Sequence, residues 1–469
     1  MAIIPLGIVI LMLVCFGARW DPEGLTLEGQ RAIGLFLFCM IFWVTRALPL
    51  AVTSLTVFAL APSLGIVSAR ETFSYFGNEA VFFILGALLL AGGMFKTGIS
   101  QRIAVFLLSR FGGSPESLVS GILVSSALLS CLMPEHAVCA LLFPVVLDIA
   151  KALSLVPGRS NLGKAMFFAL TWGCVIGGIT TLLGGARNPL ALNLYENHLM
   201  SHGLEPARIT FLEWMYGALP ITVCMLFSAF LLVRWYFPSE VTDVKGAQKF
   251  LIERSKDLGP LSIDEWKVAI VYTITIMAWV AAPQLGWGLA QVGLLGATSL
   301  FLLNVLTWED ADGYVQWGVV LMYGGAIGLA ECLGTTGASS WIVGKTLLSY
   351  DLGPWMLLTI LILVTKLLTE VISNVAAVSL VLPIALQVGS EAQIPLMVVV
   401  FIVALPAGLA FCLPMGTPPN AICYSSGYYS IRDSTRTGLV LNVISWVVVL
   451  LAAKFYWPLL GLSVVTASP

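Results

Sequence analysis

The chain has 469 residues, of which 59% are hydrophobic and only 10% are charged, and its mean hydropathy is +0.96. A soluble domain carries about 25% charged residues, so the composition indicates a polytopic membrane protein. The formal net charge is −2 and no basic run occurs, so a nucleic-acid partner is not expected. The nine cysteines are scattered without a CxxC pair, which argues against a disulfide framework or a cysteine metal site.

Apolar segments recur at the length that a bilayer requires, about 20 residues. The first of them lacks the cationic start of a signal peptide, so we predict a membrane span there. The eleven predicted spans are 3–18, 30–48, 50–67, 79–95, 164–184, 213–236, 266–284, 286–306, 317–333, 396–413 and 437–460. Residues 116–156 and 354–388 contain paired apolar half-segments that meet at a polar tip, and they are predicted to form re-entrant hairpins.

Shorter segments between the spans are predicted from their charge. The amphipathic stretches Ser100–Phe111 and Ser339–Ser349 are expected to lie along the membrane interface. Residues 237–265 resemble a soluble connector and divide the chain near its middle. A cytoplasmic N-terminus places most Lys and Arg residues, and this connector, on the inner side, in agreement with the positive-inside rule.

Three blocks recur in the same order in the two halves of the chain: Leu85–Ser100 with Gly324–Ser339, Leu128–Ala137 with Leu367–Ala376, and Gly184–Asn188 with Gly416–Asn420. Corresponding spans are an odd number of crossings apart, so the two copies are expected to have opposite orientations in the membrane. Inverted repeats with interrupted helices are typical of secondary transporters, which bind substrate between the copies near the bilayer midplane.

The repeats predict the division of the chain. Residues 1–236 form the first inverted repeat with N-terminal scaffold helices, 237–265 form a cytoplasmic linker, and 266–469 form the second repeat. The scaffold and transport domains are interleaved in this order. The predicted fold class is therefore an all-α polytopic membrane protein with about 11 transmembrane helices and two re-entrant hairpins.

Four elements are expected to converge, namely the hairpin tips near 134–137 and 373–376 and the helix breaks near 184–189 and 416–420. Gly and Pro at the breaks free backbone carbonyls, which suit a small cation such as sodium, whereas N–H groups at helix N-termini suit an anion. The second half then offers a sodium site at Thr369, Ser373, Asn374, Gly416 and Asn420, with Thr417 and Pro418 beside it.

Several motifs resemble those of the divalent anion:sodium symporters, the INDY-like carriers of dicarboxylates, citrate and sulfate. They are Thr45–Leu50, Gly177–Gly184, Ser373-Asn374, and Leu413–Ile422 followed by Ser426-Gly-Tyr428. In that family each hairpin tip carries Ser-Asn-Thr, each break carries Gly-Thr-Pro-Pro-Asn or close to it, and sodium and a dianion bind there. The resemblance implies a homodimer in the cell membrane, in which a transport domain slides in elevator fashion against a dimerising scaffold.

The departures from the family pattern are concentrated in the first half. At the second tip Val375 replaces a threonine, while at the first tip Pro134-Glu135-His136 replaces Ser-Asn-Thr. The first break reads Gly184-Gly-Ala-Arg-Asn188, which places Arg187 opposite the altered tip. The first half has therefore lost the neutral residues of one sodium site.

A charge argument suggests what replaces that sodium. Arg187 supplies one buried positive charge covalently, and Glu135 can pair with it through a fork of hydrogen bonds. Arg187 is thus expected to replace the first sodium, or to bind the substrate anion beside His136. Two alternatives remain open, a proton site at Glu135 and His136 and an Arg187–Glu135 bridge that only locks the hairpin. The altered first site would comprise Ser130, Glu135, Gly184 and Arg187.

The predicted function is secondary active transport of small divalent anions, such as C4 dicarboxylates, coupled to one sodium ion or to none. The expected substrate-binding residues are Glu135, His136, Arg187, Asn188, Ser373, Asn374, Val375, Thr417 and Pro418. An alternative is a sodium-independent or proton-coupled exchanger of sulfate or a larger organic acid. A membrane hydrolase is disfavoured because Glu135 and His136 lie in no HExxH or serine-nucleophile motif, and a channel would not require inverted-repeat hairpins.

Two further pairs of ionisable residues have more ordinary interpretations. Lys366 and Glu370 are four residues apart on one helical face, as expected for a buried structural pair. His198 and His202 are predicted to lie in a solvated polar loop, 192–211, rather than at a metal.

Overall fold

The computed structural model describes residues 3–16, 24–45, 47–111, 113–204, 208–345 and 352–464. Arg46 and residues 17–18, 205–207 and 346–349, which belong to motifs or elements predicted above, lie outside the described residues. Within the described ranges the regular structure consists of the helices α1 (Ile3–Phe16), α2 (Leu27–Thr45), α3 (Leu50–Ser63), α4 (Ala69–Ser74), α5 (Glu79–Thr97), α6 (Ile99–Ser109), α7 (Pro115–Ser130), α8 (Glu135–Ala152), α9 (Asn161–Gly177), α10 (Arg187–Ser201), α11 (Phe211–Tyr236), α12 (Lys245–Asp257), α13 (Ile263–Leu285), α14 (Leu289–Leu302), α15 (Trp308–Tyr314), α16 (Trp317–Thr335), α17 (Ala338–Lys345), α18 (Pro354–Val371), α19 (Asn374–Glu391), α20 (Leu396–Ala407), α21 (Pro418–Tyr424) and α22 (Ile431–Leu451), together with short 3₁₀ and π turns.

The lengths and apolar character of these helices confirm an all-helical polytopic membrane protein. In the part of the chain that the structure describes, eight helical stretches are long and apolar enough to cross a bilayer, and five shorter apolar helices accompany them. The shorter ones include α7, α14 and α20, which belong to a predicted hairpin or to predicted spans. Composition therefore predicted the fold class, although not each helix end.

Both predicted hairpins are present as pairs of helices. The first consists of α7 and α8, and α7 begins with Ser114 as its N-cap and Pro115 in its first turn. The second consists of α18 and α19, and the hydroxyl of Ser373 caps α19 by accepting a hydrogen bond from the Ala376 N–H. Each tip therefore holds the N-terminus of a helix at the point where the chain reverses.

Three predicted boundaries are wrong. The spans predicted at 164–184 and 396–413 end earlier, because α9 stops at Gly177 and α20 stops at Ala407. Irregular chain follows each of them before the next helix begins. The loop predicted at 192–211 is helical as far as Ser201, because apolar side chains of α10 such as Leu199 are buried against neighbouring helices.

The helices pack in two groups. In one group the hairpin helices contact the interrupted ones, with α7 and α8 on α9, α18 and α19 on α20, and α10 on α19. In the other group α3 packs on α2 and α16, and α5 packs on α14. Helices α7 and α9 approach closely because Gly173 and Gly177 lie against backbone carbonyls of α7, where a Cβ would overlap.

Candidate functional site

Both hairpin tips meet at one cluster in the interior of the protein. Glu135 begins α8, Arg187 begins α10 and Asn374 begins α19, and all three side chains are buried. The side-chain nitrogen of Asn374 lies 3.4 Å from Glu135 Oε1, across 239 positions of sequence. The structure therefore brings together the two tips and the first break, as their repeat pattern suggested.

Glu135 and Arg187 form a closed ion pair. The two terminal nitrogens of Arg187 both lie 3.1 Å from Glu135 Oε2, which leaves Oε1 directed toward Asn374. Arg187 is 2% exposed and Glu135 is 4% exposed. The backbone N–H of Glu135 also donates to the carbonyl of Gly184 at 2.9 Å, which fixes the first tip to the first break. A buried charge of either sign is tolerated here because its partner is adjacent.

Three glycines create the space for this ion pair. A Cβ atom at Gly178 would overlap the Glu135 carboxylate, and one at Gly185 or Gly408 would overlap the Arg187 guanidinium. Gly408 belongs to the second break, so both breaks contribute to the enclosure. The pair is therefore held by the shape of the backbone as well as by charge.

The side chain of Asn374 also faces the second break. Thr369 Oγ1 lies 2.6 Å from the carbonyl oxygen of Ala407 and 2.8 Å from Asn374 Oδ1. A threonine hydroxyl has one hydrogen and can donate to only one of these oxygens. The Asn374 atom that faces these two groups is an oxygen in one orientation of its amide and a nitrogen in the other, so three oxygens meet here only in the first orientation.

The amide of Asn374 fits its surroundings in two orientations. In the first, its oxygen faces Thr369 and Ala407, while its nitrogen faces both Glu135 Oε1 and the Arg187 Nη1 donor, so this orientation is the less well satisfied. In the second, its nitrogen donates to Ala407 at 3.2 Å and to Thr369 at 2.8 Å, and its oxygen accepts from Arg187 Nη1 at 3.2 Å. The second orientation satisfies every hydrogen bond without a cation.

The two breaks are closed by equivalent asparagines. The amide nitrogen of Asn188 donates to the carbonyls of Gly178 and Thr181, at 3.0 and 2.7 Å. The amide oxygen of Asn420 accepts from Thr171 at 2.8 Å, and its nitrogen donates to carbonyls in the second break. Both asparagines thus satisfy carbonyls that the interrupted helices leave unpaired.

Glu370 and Lys366 hold the second break. The carboxylate of Glu370 accepts hydrogen bonds from the backbone N–H groups of Phe411, Cys412 and Leu413, at 2.8 to 3.1 Å. The side-chain amide of Asn442 donates to the same carboxylate at 2.6 Å. One turn earlier, Lys366 Nζ donates to the carbonyl of Leu409 at 2.9 Å. Both side chains bind the chain of the break, which supports a structural role.

The remaining predicted site residues lie at the ends of the hairpin helices and in the breaks. Thr417 caps α21 by accepting from the N–H of Asn420 at 3.3 Å. Val375 is buried at the second tip and Pro418 is exposed beside it. Ser130 is fully buried near Cys174, and the N–H of Gly416 donates to a carbonyl within the second break.

His136 connects the first tip to the other group of helices. Its Nε2 atom lies 2.8 Å from the amide nitrogen of Gln316, which precedes α16. This contact is a hydrogen bond in which the amide N–H donates when the imidazole Nε2 carries no hydrogen. Gln316 is exposed and His136 is partly exposed.

Sequence reasoning missed several residues of the site. The carbonyl of Ala407, the hydroxyl of Thr171 and the amide of Asn442 gave no sequence signal, because each acts through a contact distant along the chain. Gly178 and Gly408 could be recognised in the sequence as glycines near the breaks. The large charged side chain of Arg187, at a break that is neutral in the family pattern, was the signal that nearby residues had to be small. Only the folded chain shows which side chain each glycine accommodates.

An all-helical membrane protein in which two hairpin tips meet two interrupted helices belongs to the class of membrane transporters. The chain is a member of the sodium:sulfate symporter family, because residues 2–463 match the model described as the sodium:sulfate symporter transmembrane region. The resemblance noted from its motifs is thereby confirmed.

Curated relatives and solved structures agree with this assignment. The chain is 26% identical to the sodium-dependent dicarboxylate transporter SdcS of Staphylococcus saprophyticus subsp. saprophyticus, over 96% of the chain and 90% of that protein. It is also 26% identical to SdcS of Staphylococcus aureus strain USA300, over 95% of the chain and 89% of that protein.

Among solved structures, Neisseria gonorrhoeae MtrF, from work on antimetabolite efflux pumps, superposes with a TM-score of 0.59 at 12% identity, over 97% of this chain and 94% of MtrF. The Alcanivorax borkumensis YdaH transporter superposes with a TM-score of 0.58 at 14% identity, over 84% of this chain and 90% of YdaH. These two likenesses concern the fold.

Proposed function

We propose that this protein is a sodium-coupled transporter of small dicarboxylates in the cell membrane. The observation that carries the proposal is the meeting of the Thr369 hydroxyl, the Ala407 carbonyl and the Asn374 amide, which presents its oxygen there in one of its two orientations. The names of its relatives, sodium-dependent dicarboxylate transporters, support both the coupling ion and the substrate class.

The proposed sodium site lies in the second half of the chain. Thr369 and Asn374 provide side-chain oxygens, and the carbonyl of Ala407 provides a third. Ser373 shapes the site by starting α19, while Gly416 and Asn420 shape it by keeping the second break in place. Hard oxygen ligands without a net charge suit a monovalent cation that has to bind and leave within each cycle.

One sodium ion is proposed for each cycle. The first half offers Arg187 at the place where a second cation would have to be held, and its guanidinium is already neutralised by Glu135. Sodium-dependent uptake should then show a Hill coefficient of about one. A coefficient of about two or more would show that the first half also binds sodium.

The substrate is proposed to lie on the exposed side of the two tips. Pro418 is exposed and His136 and Ser373 are partly exposed there, whereas the other two predicted substrate residues, Val375 and Thr417, are buried beneath the surface. Helices α8 and α19 both begin at the tips, so their N-terminal N–H groups favour a carboxylate there. Glu135, Arg187 and Asn188 are buried behind these residues and act as the wall of the site.

We further propose that the hairpins and breaks move as one body. They pack on one another through α7–α10 and α18–α21, whereas α2 and α3 pack on α16, which itself contacts α10 and α19 of the first group. Movement of the first group past the second would carry the site across the membrane in an elevator cycle within a homodimer. The N-terminus is proposed to be cytoplasmic, since this places the cations of the 237–265 linker inside.

The test is uptake of labelled succinate, citrate, sulfate and aspartate into proteoliposomes that contain the purified protein. Each compound is supplied with a sodium gradient, with a pH gradient, and with neither. Sodium-stimulated uptake of succinate is expected. Uptake that requires only a pH gradient, or only an exchangeable anion inside, would contradict the proposal and support the sodium-independent alternative.

A further inference from the structure

The side-chain amide of Asn374 touches both halves of the site. On one side it faces the oxygens of Thr369 and Ala407, and on the other it faces Glu135 and Arg187. Asn374 is 7% exposed, so water cannot readily replace any of these contacts. Whichever of its two ends faces the cation site, the opposite end faces the ion pair.

The two orientations of this amide differ in the charge that they accommodate. With its oxygen toward Thr369 and Ala407, three oxygens share one hydrogen, and this arrangement needs a cation to stabilise it. With its nitrogen toward them, the hydrogen bonds are complete and a cation would meet N–H groups. A bound sodium ion therefore requires the first orientation, and an empty site favours the second.

The ion pair provides one partner for each orientation. When the amide oxygen faces the cation site, its nitrogen lies 3.4 Å from Glu135 Oε1, to which it donates, but it also lies beside the Arg187 Nη1 donor, so this orientation is the poorer one without a cation. When the amide is reversed, its oxygen accepts from Arg187 Nη1 at 3.2 Å. Both terminal nitrogens of Arg187 contact the same oxygen of Glu135. The other oxygen of Glu135 is therefore free to accept from Asn374 when the amide nitrogen faces it.

We infer that sodium binding rotates the Asn374 amide and exchanges its partner from Arg187 to Glu135, so that the ion pair of the first half sets the sodium affinity of the second half. Glu135 and Arg187 are positioning residues in this scheme, because they act on the cation through Asn374. The inference rests on the proposed sodium site. It goes further by giving the two charged residues opposite effects on that site.

The test uses the purified full-length protein and measures the sodium concentration that gives half-maximal thermal stabilisation in detergent. Glu135→Asp keeps the charge but withdraws the acceptor from Asn374, so this concentration should rise. Arg187→Lys keeps a cation beside Glu135 but removes the donor to Asn374, so the half-maximal sodium concentration should fall. Each change is expected to be about tenfold, equivalent to about 1.4 kcal/mol, as for one hydrogen bond to a charged group.

A control variant and a second readout distinguish this scheme from an ion pair that only stabilises the hairpin. Glu265→Gln disrupts a partly buried Arg–Glu pair, with Arg102, away from the site, and should leave the sodium concentration for half-maximal stabilisation unchanged. If either site variant is too unstable to purify, half-maximal sodium is measured from succinate uptake in membrane vesicles, where the same shift should appear without a change in Hill coefficient.

The outcomes are distinct. Opposite shifts of the half-maximal sodium concentration in Glu135→Asp and Arg187→Lys support the inference. If the ion pair only held the hairpin in place, both variants would bind sodium more weakly. Unchanged or parallel shifts, in a protein whose wild type binds sodium, would overturn the inference and leave the proposed function intact. A wild type that sodium neither stabilises nor stimulates would overturn the proposed function itself.

Discussion

Asn188 and Asn420 make the same pair of hydrogen bonds at the two breaks. Asn188 donates to the carbonyls of Gly178 and Thr181, and Asn420 donates to those of Ala410 and Leu413. Each acceptor in the second break lies 232 positions after its counterpart in the first, as do the asparagines themselves. The equivalence therefore extends from the sequence motif to individual atoms.

Asn420→Ala should destabilise the protein, because it leaves two buried carbonyls and the hydroxyl of Thr171 without their partner. The expected loss is about 2–3 kcal/mol, measured by thermal unfolding in detergent. Asn197→Ala, which removes a partly buried amide that contacts the side chains of Asn193 and Glu331, is the control and should change stability by about 1 kcal/mol or less. Equal effects of the two variants would show that Asn420 does not hold the break.

Gly408→Ala should displace the side chain of Arg187 and so disrupt its ion pair with Glu135. The new methyl group would overlap the guanidinium of Arg187, which is buried and cannot move into solvent. We expect a loss of about 1–3 kcal/mol of stability together with loss of sodium-stimulated uptake. Gly334→Ala is the matched control, since a Cβ there meets open space. Normal uptake by Gly408→Ala would show that the Arg187–Glu135 pair tolerates a methyl group at this position, which would contradict the prediction.

Glu370→Gln should loosen the second break. The carboxylate accepts from three backbone N–H groups, whereas a glutamine amide offers one oxygen and turns an N–H toward other donors. The expected destabilisation is about 2–3 kcal/mol, accompanied by weaker sodium binding because Ala407 lies just before the break. Glu391→Gln, at the far end of α19, serves as the comparison. A stable variant with unchanged sodium binding would contradict this role.

His136 and Gln316 offer a test of relative movement. In a variant whose native cysteines are replaced, His136→Cys together with Gln316→Cys should form a cross-link with a short thiol reagent, because the two side chains are in contact. The cross-link should block uptake if the first tip has to leave α16 during the cycle, and reduction should restore it. Full uptake by the cross-linked protein would exclude that movement.

Sequence analysis alone predicted the class of the protein and the location of its hairpin tips and helix breaks. Hydropathy and span length are local properties, so they predicted the helical membrane fold, and the repeated blocks located both tips and both breaks. Helix ends such as Gly177 and the helical course of α10 were decided by packing and by asparagine hydrogen bonds that local pattern does not encode.

The partners of the charged residues, in contrast, are visible only in the folded protein. Glu135 was recognisable as a departure from a neutral pattern, but its contact with Asn374 crosses 239 positions and depends on both hairpins packing at one point. The sequence likewise allowed Arg187 to face a substrate or a carboxylate, and the enclosure by Gly178, Gly185 and Gly408 selects the carboxylate. The partner of a buried charged residue depends on which segments, distant in sequence, leave space for its side chain. That space exists only in the folded chain.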